Sequence, residues 1–143
     1  MLEALSRVTM QLTAGAFAGA CLYIMLVQHP VRVALAAAPA LGDFRAAIPR
    51  AEKVQAPLLV VCLLSVVVHL VVSFSWPVAA GGLLILVVLV GTVAAVLPIN
   101  RRLLAGDRDD RLAETPAALA RWGMLHALRT VLASIGAALL LLT

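Results

Sequence analysis

Three residues near the start of the last apolar stretch have the types and the spacing needed for proton chemistry. In RWGMLHALRT, residues 121–130, Trp122, His126 and Arg129 follow one another at intervals of four and three residues. At about 100° per residue these side chains fall on one face of a helix, and His126 and Arg129 are neighbours at i and i+3. A cation beside an imidazole favours the neutral ring. A neutral ring can accept a proton, while a guanidinium can stabilise a developing anion.

Arg129 is expected to lie below the lipid headgroups. The uncharged tail after it, residues 130–143, has only 14 residues, about 21 Å of helix, whereas a bilayer core is about 30 Å thick. The span must therefore include Arg129 and His126, and ionisable residues at that depth are usually functional. The small residues Ala133 and Gly136 continue the same face, which favours an orientation towards other helices. No buried carboxylate is expected nearby, so an anionic ligand or intermediate is the predicted partner of Arg129.

The composition indicates an integral membrane protein. The chain has 143 residues, of which 64% are hydrophobic and only 13% charged, whereas soluble domains have about 25% charged residues. The net charge of +4 comes from basic residues that flank apolar segments, so no nucleic-acid partner is expected. Cys21 and Cys62 stand alone in apolar runs without a C-x-x-C pair, and we expect them to be buried as small apolar residues.

Four apolar segments are long enough to cross a bilayer. We place the spans at about 8–30, 57–76, 79–99 and 116–142, joined by loops at 31–56 and 100–115. The valine runs of the middle spans would favour strands in water, but an open sheet in lipid leaves backbone groups unpaired. The sequence therefore predicts an all-α membrane protein. Its four transmembrane helices form an antiparallel bundle, in a single domain over residues 1–143.

Local signals refine the predicted helix ends. Thr115 is the expected N-cap of the fourth span, with Pro116 at its first helical position. Pro39 and Pro49 are expected to limit the first loop to short helical pieces along the interface. The G-x-x-x-G match from Gly15 to Gly19 predicts close approach of a neighbouring helix.

The distribution of positive charge predicts the orientation. Nine basic residues fall in or beside the two longer loops, and only Arg7 falls on the opposite side. By the positive-inside rule both loops face the cytoplasm and both termini lie on the non-cytoplasmic side. We expect a multi-pass protein of the bacterial cytoplasmic membrane. The nine residues are Arg32, Arg45, Arg50, Lys53, Arg101, Arg102, Arg108, Arg111 and Arg121.

Other polar residues are expected at the level of His126. Gln28 and His29 end the first span, and Asn100 ends the third within LPINRR. His69 and Arg129 follow Pro57 and Pro116 by 12 and 13 residues, about 18–20 Å of helix, which allows them to meet. The predicted site is thus a dry compartment that opens only at the basic margin.

Structural explanations compete with these site assignments. Trp122 also fits an interfacial aromatic belt. His29 with Pro30 also fits the end or kink of a helix, and His69 also fits a hydrogen-bonded core histidine.

The short four-span chain with QHP after its first helix, LPINRRL after its third and RWGMLHALRT opening its fourth resembles the anthrone oxygenase-like membrane family. This resemblance implies oxidation of an anthrone-type polyketide to the quinone by molecular oxygen, without a metal or flavin. On that basis His126 is the expected base, and Arg129 and Asn100 stabilise the enolate oxygen. His29 would relay the proton, and Trp122 would pack on the flat substrate, with His69 and Gln28 also in the binding site.

Two alternatives remain open from the sequence. One is a b-type haem protein, with His69 and His126 as axial ligands and Arg129 beside a propionate. The other is a non-enzymatic membrane subunit, in which Arg129 binds a lipid headgroup or a partner protein. The expected partners are membrane lipid and an apolar aromatic small molecule, and a homo-oligomer is left open.

Overall fold

The protein is built from helices that run almost the whole length of the chain. The computed structural model describes residues 1–105 and 109–143, apart from the side chains of 109–111, and these residues contain no strand. The helices are α1 (Leu2–Tyr23), α2 (His29–Val33), α3 (Ala37–Val72), α4 (Trp76–Gly91), α5 (Leu97–Leu104) and α6 (Asp109–Leu141). A first π segment, Ile24–Gln28, joins α1 to α2, and a second, Thr92–Val96, joins α4 to α5.

These elements form four helices that are long and apolar enough to cross a membrane. They cover Leu2–Val33, Ala37–Val72, Trp76–Leu104 and Leu112–Leu141, and are called the first to fourth spans below. The prediction of an all-helical protein with four transmembrane helices is confirmed. The first span packs on the second and fourth, and the third also packs on the second and fourth, so the four enclose a common interior.

The predicted loop at 31–56 is wrong, because α3 is continuous from Ala37 to Val72 through Pro49 and Pro57. Proline removes one backbone donor, and neighbouring helices make this tolerable in a membrane span. The early part of α3 also buries apolar side chains against the bundle, among them Phe44 and Ile48. That burial stabilises the added helix, which ends at Val72 rather than at residue 76.

The predicted start of the fourth span at Thr115 is also wrong. α6 begins at Asp109, so Pro116 lies inside the helix, and Thr115 is buried. The third span is longer than predicted, from Trp76 to Leu104. Most of the predicted loop 100–115 is therefore helical. Arg108 and the side chain of Arg111 lie outside the described residues.

Each π segment is followed, after one intervening residue, by a proline. The first ends at Gln28 before His29 and Pro30, and the second ends at Val96 before Leu97 and Pro98. A proline ring clashes with the carbonyl one α-helical turn earlier, and a widened π turn is a common way to relieve such strain in a continuous helix. The chain thus keeps both spans helical and places His29 and Asn100 just beyond the two irregular turns.

The interior contains two apolar clusters. One surrounds Phe17 and Leu59, and the other surrounds Phe44 and Trp122. A cavity lies where the two clusters meet.

Close helix contact occurs at glycines other than the predicted pair. A Cβ on Gly81 would lie 3.0 Å from the backbone oxygen of Gly136, so α4 and α6 approach there, as expected for the inward face of Gly136. A Cβ on Gly15 or Gly19 would meet nothing within 4 Å. The predicted contact at that G-x-x-x-G match is wrong, because the pair does not face a neighbouring helix.

Candidate functional site

A cavity of about 220 Å³ lies in the half of the bundle nearer to the α2–α3 and α5–α6 connections. All four spans contribute to its wall. Most of the wall is apolar, and the polar side chains gather on the second, third and fourth spans. These polar groups are Glu52, Gln55, Thr92, Asn100, Trp122, His126 and Arg129. An apolar cavity with a few convergent polar groups is the usual form of a small-molecule site.

Three aromatic and ionisable residues of α6 meet at this cavity. Trp122, His126 and Arg129 all line it, and Trp122 and His126 are each only 1% exposed. Their rings are stacked, with centroids 4.6 Å apart and planes inclined by 11°. The helical spacing therefore creates one continuous aromatic and cationic wall.

A chain of two hydrogen bonds fixes Trp122 in the wall. The Trp122 Nε1–H donates to Oδ1 of Asn100 over 2.7 Å, and Nδ2 of Asn100 donates to Oε1 of Glu52 over 2.6 Å. Asn100 thus accepts from one neighbour and donates to the other, which determines the orientation of its amide. Asn100 connects the fourth span to the second through the third.

Arg129 is oriented by a second partner on α3. Its Nη2 donates to Oε1 of Gln55 over 2.6 Å, and its guanidinium carbon lies 5.0 Å from the ring centroid of Phe17. The Arg129 Nε is buried and has no hydrogen-bond partner within the described chain. Glu52 lies one helical turn from Gln55 and lines the same cavity, so a partly buried carboxylate shares the cavity with Arg129.

The imidazole of His126 is packed against Trp122 and lies in range of the backbone carbonyl of Cys21. Both of its ring nitrogens are buried, and neither makes a hydrogen bond of good geometry to another described residue. Buried polar atoms normally have such partners. A ring of this kind at a cavity wall is a candidate proton acceptor.

His29 lies behind Trp122 and is not part of the cavity wall. The two rings have centroids 5.4 Å apart, and a Cβ on Gly123 would fall 2.1 Å from the Nε2 atom of His29. The glycine therefore leaves the space that His29 occupies against α6. The role of His29 as a proton relay stays a prediction.

A buried cation completes the layer behind Trp122. Arg32 is fully buried, and its Nε donates to Oδ2 of Asp43 over 2.7 Å. Its guanidinium carbon lies 5.2 Å from the ring centroid of Phe44 and 5.8 Å from that of Trp122. Arg32 was expected to be a loop charge that sets orientation, and here it also packs against the aromatic wall.

His69 and Gln28 do not reach the cavity. Nδ1 of His69 lies 3.2 Å from Oγ of Ser6, near the other end of the bundle, and Gln28 is half-buried outside the wall. The predicted meeting of His69 with Arg129 is wrong. It assumed that the two helices begin at Pro57 and Pro116, whereas α3 begins at Ala37 and α6 at Asp109. His69 follows Gln55 by 14 residues, about 21 Å along the helix. His69 and His126 are thus not placed to share an axial haem site.

The described residues offer little for a metal ion. Within residues 1–105 and 112–143, no group of three His, Cys, Asp or Glu side chains is placed to hold one. Cys21 and Cys62 are free thiols buried among the helices, as expected.

Three polar residues of the wall were missed from the sequence, Glu52, Gln55 and Thr92. Glu52 and Gln55 fall in AEKVQAP, which was assigned to a loop. Their i and i+3 spacing would have placed them on one helix face. The sequence pattern that could have revealed them is the i, i+4 spacing of Gln55 and Leu59, which places both on the same buried helix face.

Comparison with known proteins identifies the family. Neither the curated proteins nor the solved structures contain a significant match. The sequence profile of the anthrone oxygenase family matches residues 44–139, which include Glu52, Gln55, Asn100, Trp122, His126 and Arg129. Since this stretch is well over half of the 143 residues, the chain belongs to the anthrone oxygenase family.

Proposed function

We propose that the protein oxidises an anthrone-type substrate, or a similar apolar aromatic molecule with an acidic methylene group, to the quinone. The observation that supports this best is the buried imidazole of His126 at the wall of an apolar cavity, between Trp122 and Arg129 on α6. The cavity volume of about 220 Å³ is smaller than the roughly 300–1,000 Å³ of drug-sized pockets. It suits a compact, flat ligand.

The proposed reaction begins with proton transfer from the methylene carbon to His126. The carbanion that forms is an enolate, and its oxygen is stabilised by the Arg129 guanidinium, which Gln55 orients. Molecular oxygen then takes up the carbanion electron pair, and a proton completes a hydroperoxide. Loss of the second methylene proton with cleavage of the O–O bond gives the new carbonyl and water. One oxygen molecule is consumed for each quinone and each water formed.

The remaining wall residues have positioning roles in this proposal. Trp122 offers its ring to the flat substrate and keeps His126 parallel to it. Asn100 holds Trp122 and is engaged with Glu52, so its role is to position the wall rather than to bind the enolate. Glu52 is the carboxylate nearest the cavity and takes the place of His29 as the group that passes the proton outward.

The proposed chemistry requires only substrate and oxygen, since the enolate itself supplies the electrons. We place the protein in the bacterial cytoplasmic membrane, with the end of the bundle that carries Arg45, Arg50, Arg101 and Arg102 on the cytoplasmic side.

The proposal is tested with purified protein in nanodiscs and 1,8-dihydroxyanthrone. Quinone formation is followed by absorbance and oxygen uptake by an electrode, with empty nanodiscs as the measure of spontaneous oxidation. The His126→Ala variant is expected to lower kcat by about 10²–10⁴-fold, the usual contribution of a general base. A matched control is His69→Ala, which removes a buried histidine at the opposite end of the bundle and should keep kcat.

Equal rates for the wild type and His126→Ala would contradict the assignment of the base. The absence of any quinone formation above empty nanodiscs would contradict the proposed reaction and favour a non-enzymatic membrane subunit.

A further inference from the structure

Part of the cavity wall is exposed on the outside of the bundle. Val60 is 48% exposed and Val93 is 56% exposed, and Ala56 is also exposed, yet all three line the cavity. The wall residues of the first span are buried, as are Trp122 and His126 of the fourth. The cavity is thus open between the second and third spans and closed on the opposite side.

This opening lies within the membrane-spanning part of both helices. Val60 precedes the end of α3 at Val72 by 12 residues, about 18 Å of helix. Val93 precedes the end of the third span at Leu104 by 11 residues, about 16 Å. Neither position is near a helix end, so the opening faces the hydrocarbon rather than the headgroups.

The rim of the opening is apolar. Its exposed members are Ala56, Val60 and Val93, and the neighbouring outward residues Leu64 and Val90 are exposed and apolar as well. The polar wall residues Gln55, Asn100 and His126 are all buried behind this rim, whereas the partly exposed Glu52 lies one helical turn before Ala56, on the side away from Val60. The expectation of a compartment that opens only at the basic margin is therefore wrong.

The second π segment lies beside the gap. Val93 lies inside Thr92–Val96, where the helix is widened ahead of Pro98. Pro57 lies next to Ala56 on the facing helix. Thr92 and Val93 both line the cavity, and their exposed and half-buried side chains bring the wall out to the surface of the bundle.

We propose that the gap between Val60 and Val93 is a lateral entrance through which an apolar small molecule dissolved in the bilayer reaches His126. The identity of that molecule as an anthrone rests on the proposed function, but the entrance itself does not. An apolar molecule partitions into hydrocarbon, so a rim without charge admits it directly and excludes ionic solutes.

The entrance is tested by fluorescence of the cavity wall. The chain has two tryptophans, so Trp76→Phe leaves Trp122 as the single reporter. In vesicles, 1-bromooctane serves as a contact quencher supplied from the bilayer, and iodide as one supplied from water. Bromooctane is expected to quench Trp122, whereas iodide is expected to quench it only weakly.

Blocking variants in the same background locate the route. Val93→Phe and Ala56→Phe are expected to reduce the bromooctane quenching by half or more, because the added ring fills the gap. Val93→Ala widens the gap and should increase the quenching. Val90→Phe is the matched control, since Val90 is 59% exposed on the same helix and lies outside the cavity wall.

Equal quenching in Val93→Phe and Val90→Phe, or stronger quenching by iodide than by bromooctane, would overturn the proposal. Activity provides a separate readout, in which Val93→Phe should lower kcat/KM for the anthrone more than Val90→Phe does. Blocked quenching without any anthrone oxidation would keep the entrance and reject the proposed reaction. Anthrone oxidation together with unchanged quenching in the blocking variants would keep the proposed reaction and reject the entrance.

Discussion

Trp122 and His126 lie nearly parallel, 4.6 Å apart between ring centroids, and Trp122 also donates a hydrogen bond to Asn100. The same indole therefore supports the histidine with its face and the third span with its edge. These two functions are separable by mutation.

Trp122→Phe is expected to keep the stack and lose the hydrogen bond. The Oδ1 atom of Asn100 is then left buried without its donor, which costs about 1–3 kcal/mol. Trp122→Leu loses both interactions and should lower kcat further. Thermal unfolding in detergent and quinone formation measure the two effects. A Phe variant as inactive as the Leu variant would show that stacking alone does not hold His126.

Gln55→Leu is expected to lower kcat by about tenfold or more, because the Arg129 guanidinium loses the acceptor that orients it towards the developing oxyanion. The matched control is Gln11→Leu. Gln11 donates to the backbone oxygen of Leu140 over 3.1 Å, away from the cavity. Steady-state kinetics of both variants provide the test, and equal effects would contradict a positioning role for Gln55.

Gly123→Ala is expected to destabilise the protein, since the new methyl group would lie 2.1 Å from Nε2 of His29. The double variant Gly123→Ala with His29→Ala should recover much of the loss, because the clashing ring is gone. Gly91→Ala is the control. A Cβ there meets nothing within 4 Å, and Ala stabilises a helix interior by about 0.5–1 kcal/mol relative to Gly. Unfolding midpoints that show no recovery in the double variant would contradict this contact.

Asp43→Asn is expected to destabilise the protein more than Glu114→Gln. Asp43 pairs with Arg32, whose side chain is fully buried, whereas Glu114 pairs with Arg102 and both side chains are more than half exposed. Exposed pairs contribute about 0–1 kcal/mol, and an unpaired buried charge costs more. Because Asp43 is itself 49% exposed, the loss should stay below that of a fully buried pair. Similar unfolding midpoints for the two variants would contradict this ranking.

The orientation is tested with reporters fused to the C-terminus. With both termini on the non-cytoplasmic side, alkaline phosphatase fused after Thr143 should be active and green fluorescent protein should remain dark. Insertion of the same reporters after Ala105 should give the opposite result. A fluorescent C-terminal fusion would contradict the predicted orientation and indicate that the C-terminus is cytoplasmic.

The long helices and their number could be predicted from the sequence, because an apolar run of about 20 residues has few alternatives in lipid. The grouping of Trp122, His126 and Arg129 also followed from spacing alone, since all three lie on one uninterrupted helix. Intervals within a helix carry over directly into positions on its surface.

The helix ends could not be predicted, and the errors in the site follow from them. Pro49 and Pro57 are strong breakers in water, yet α3 continues through both because packing of Phe44 and Ile48 stabilises the added turns. The early start of α3 brings Glu52 and Gln55 into the cavity. It also moves His69 to the opposite end, where its neighbour is Ser6. Depth in a bundle depends on where a helix begins, and here tertiary packing decided that point.

Each of the four membrane crossings contributes to the wall of the cavity. We predict from this that one chain is sufficient to form the site. One copy per nanodisc should therefore turn over at the same rate per chain as a crowded preparation, and activity should scale linearly with protein on dilution.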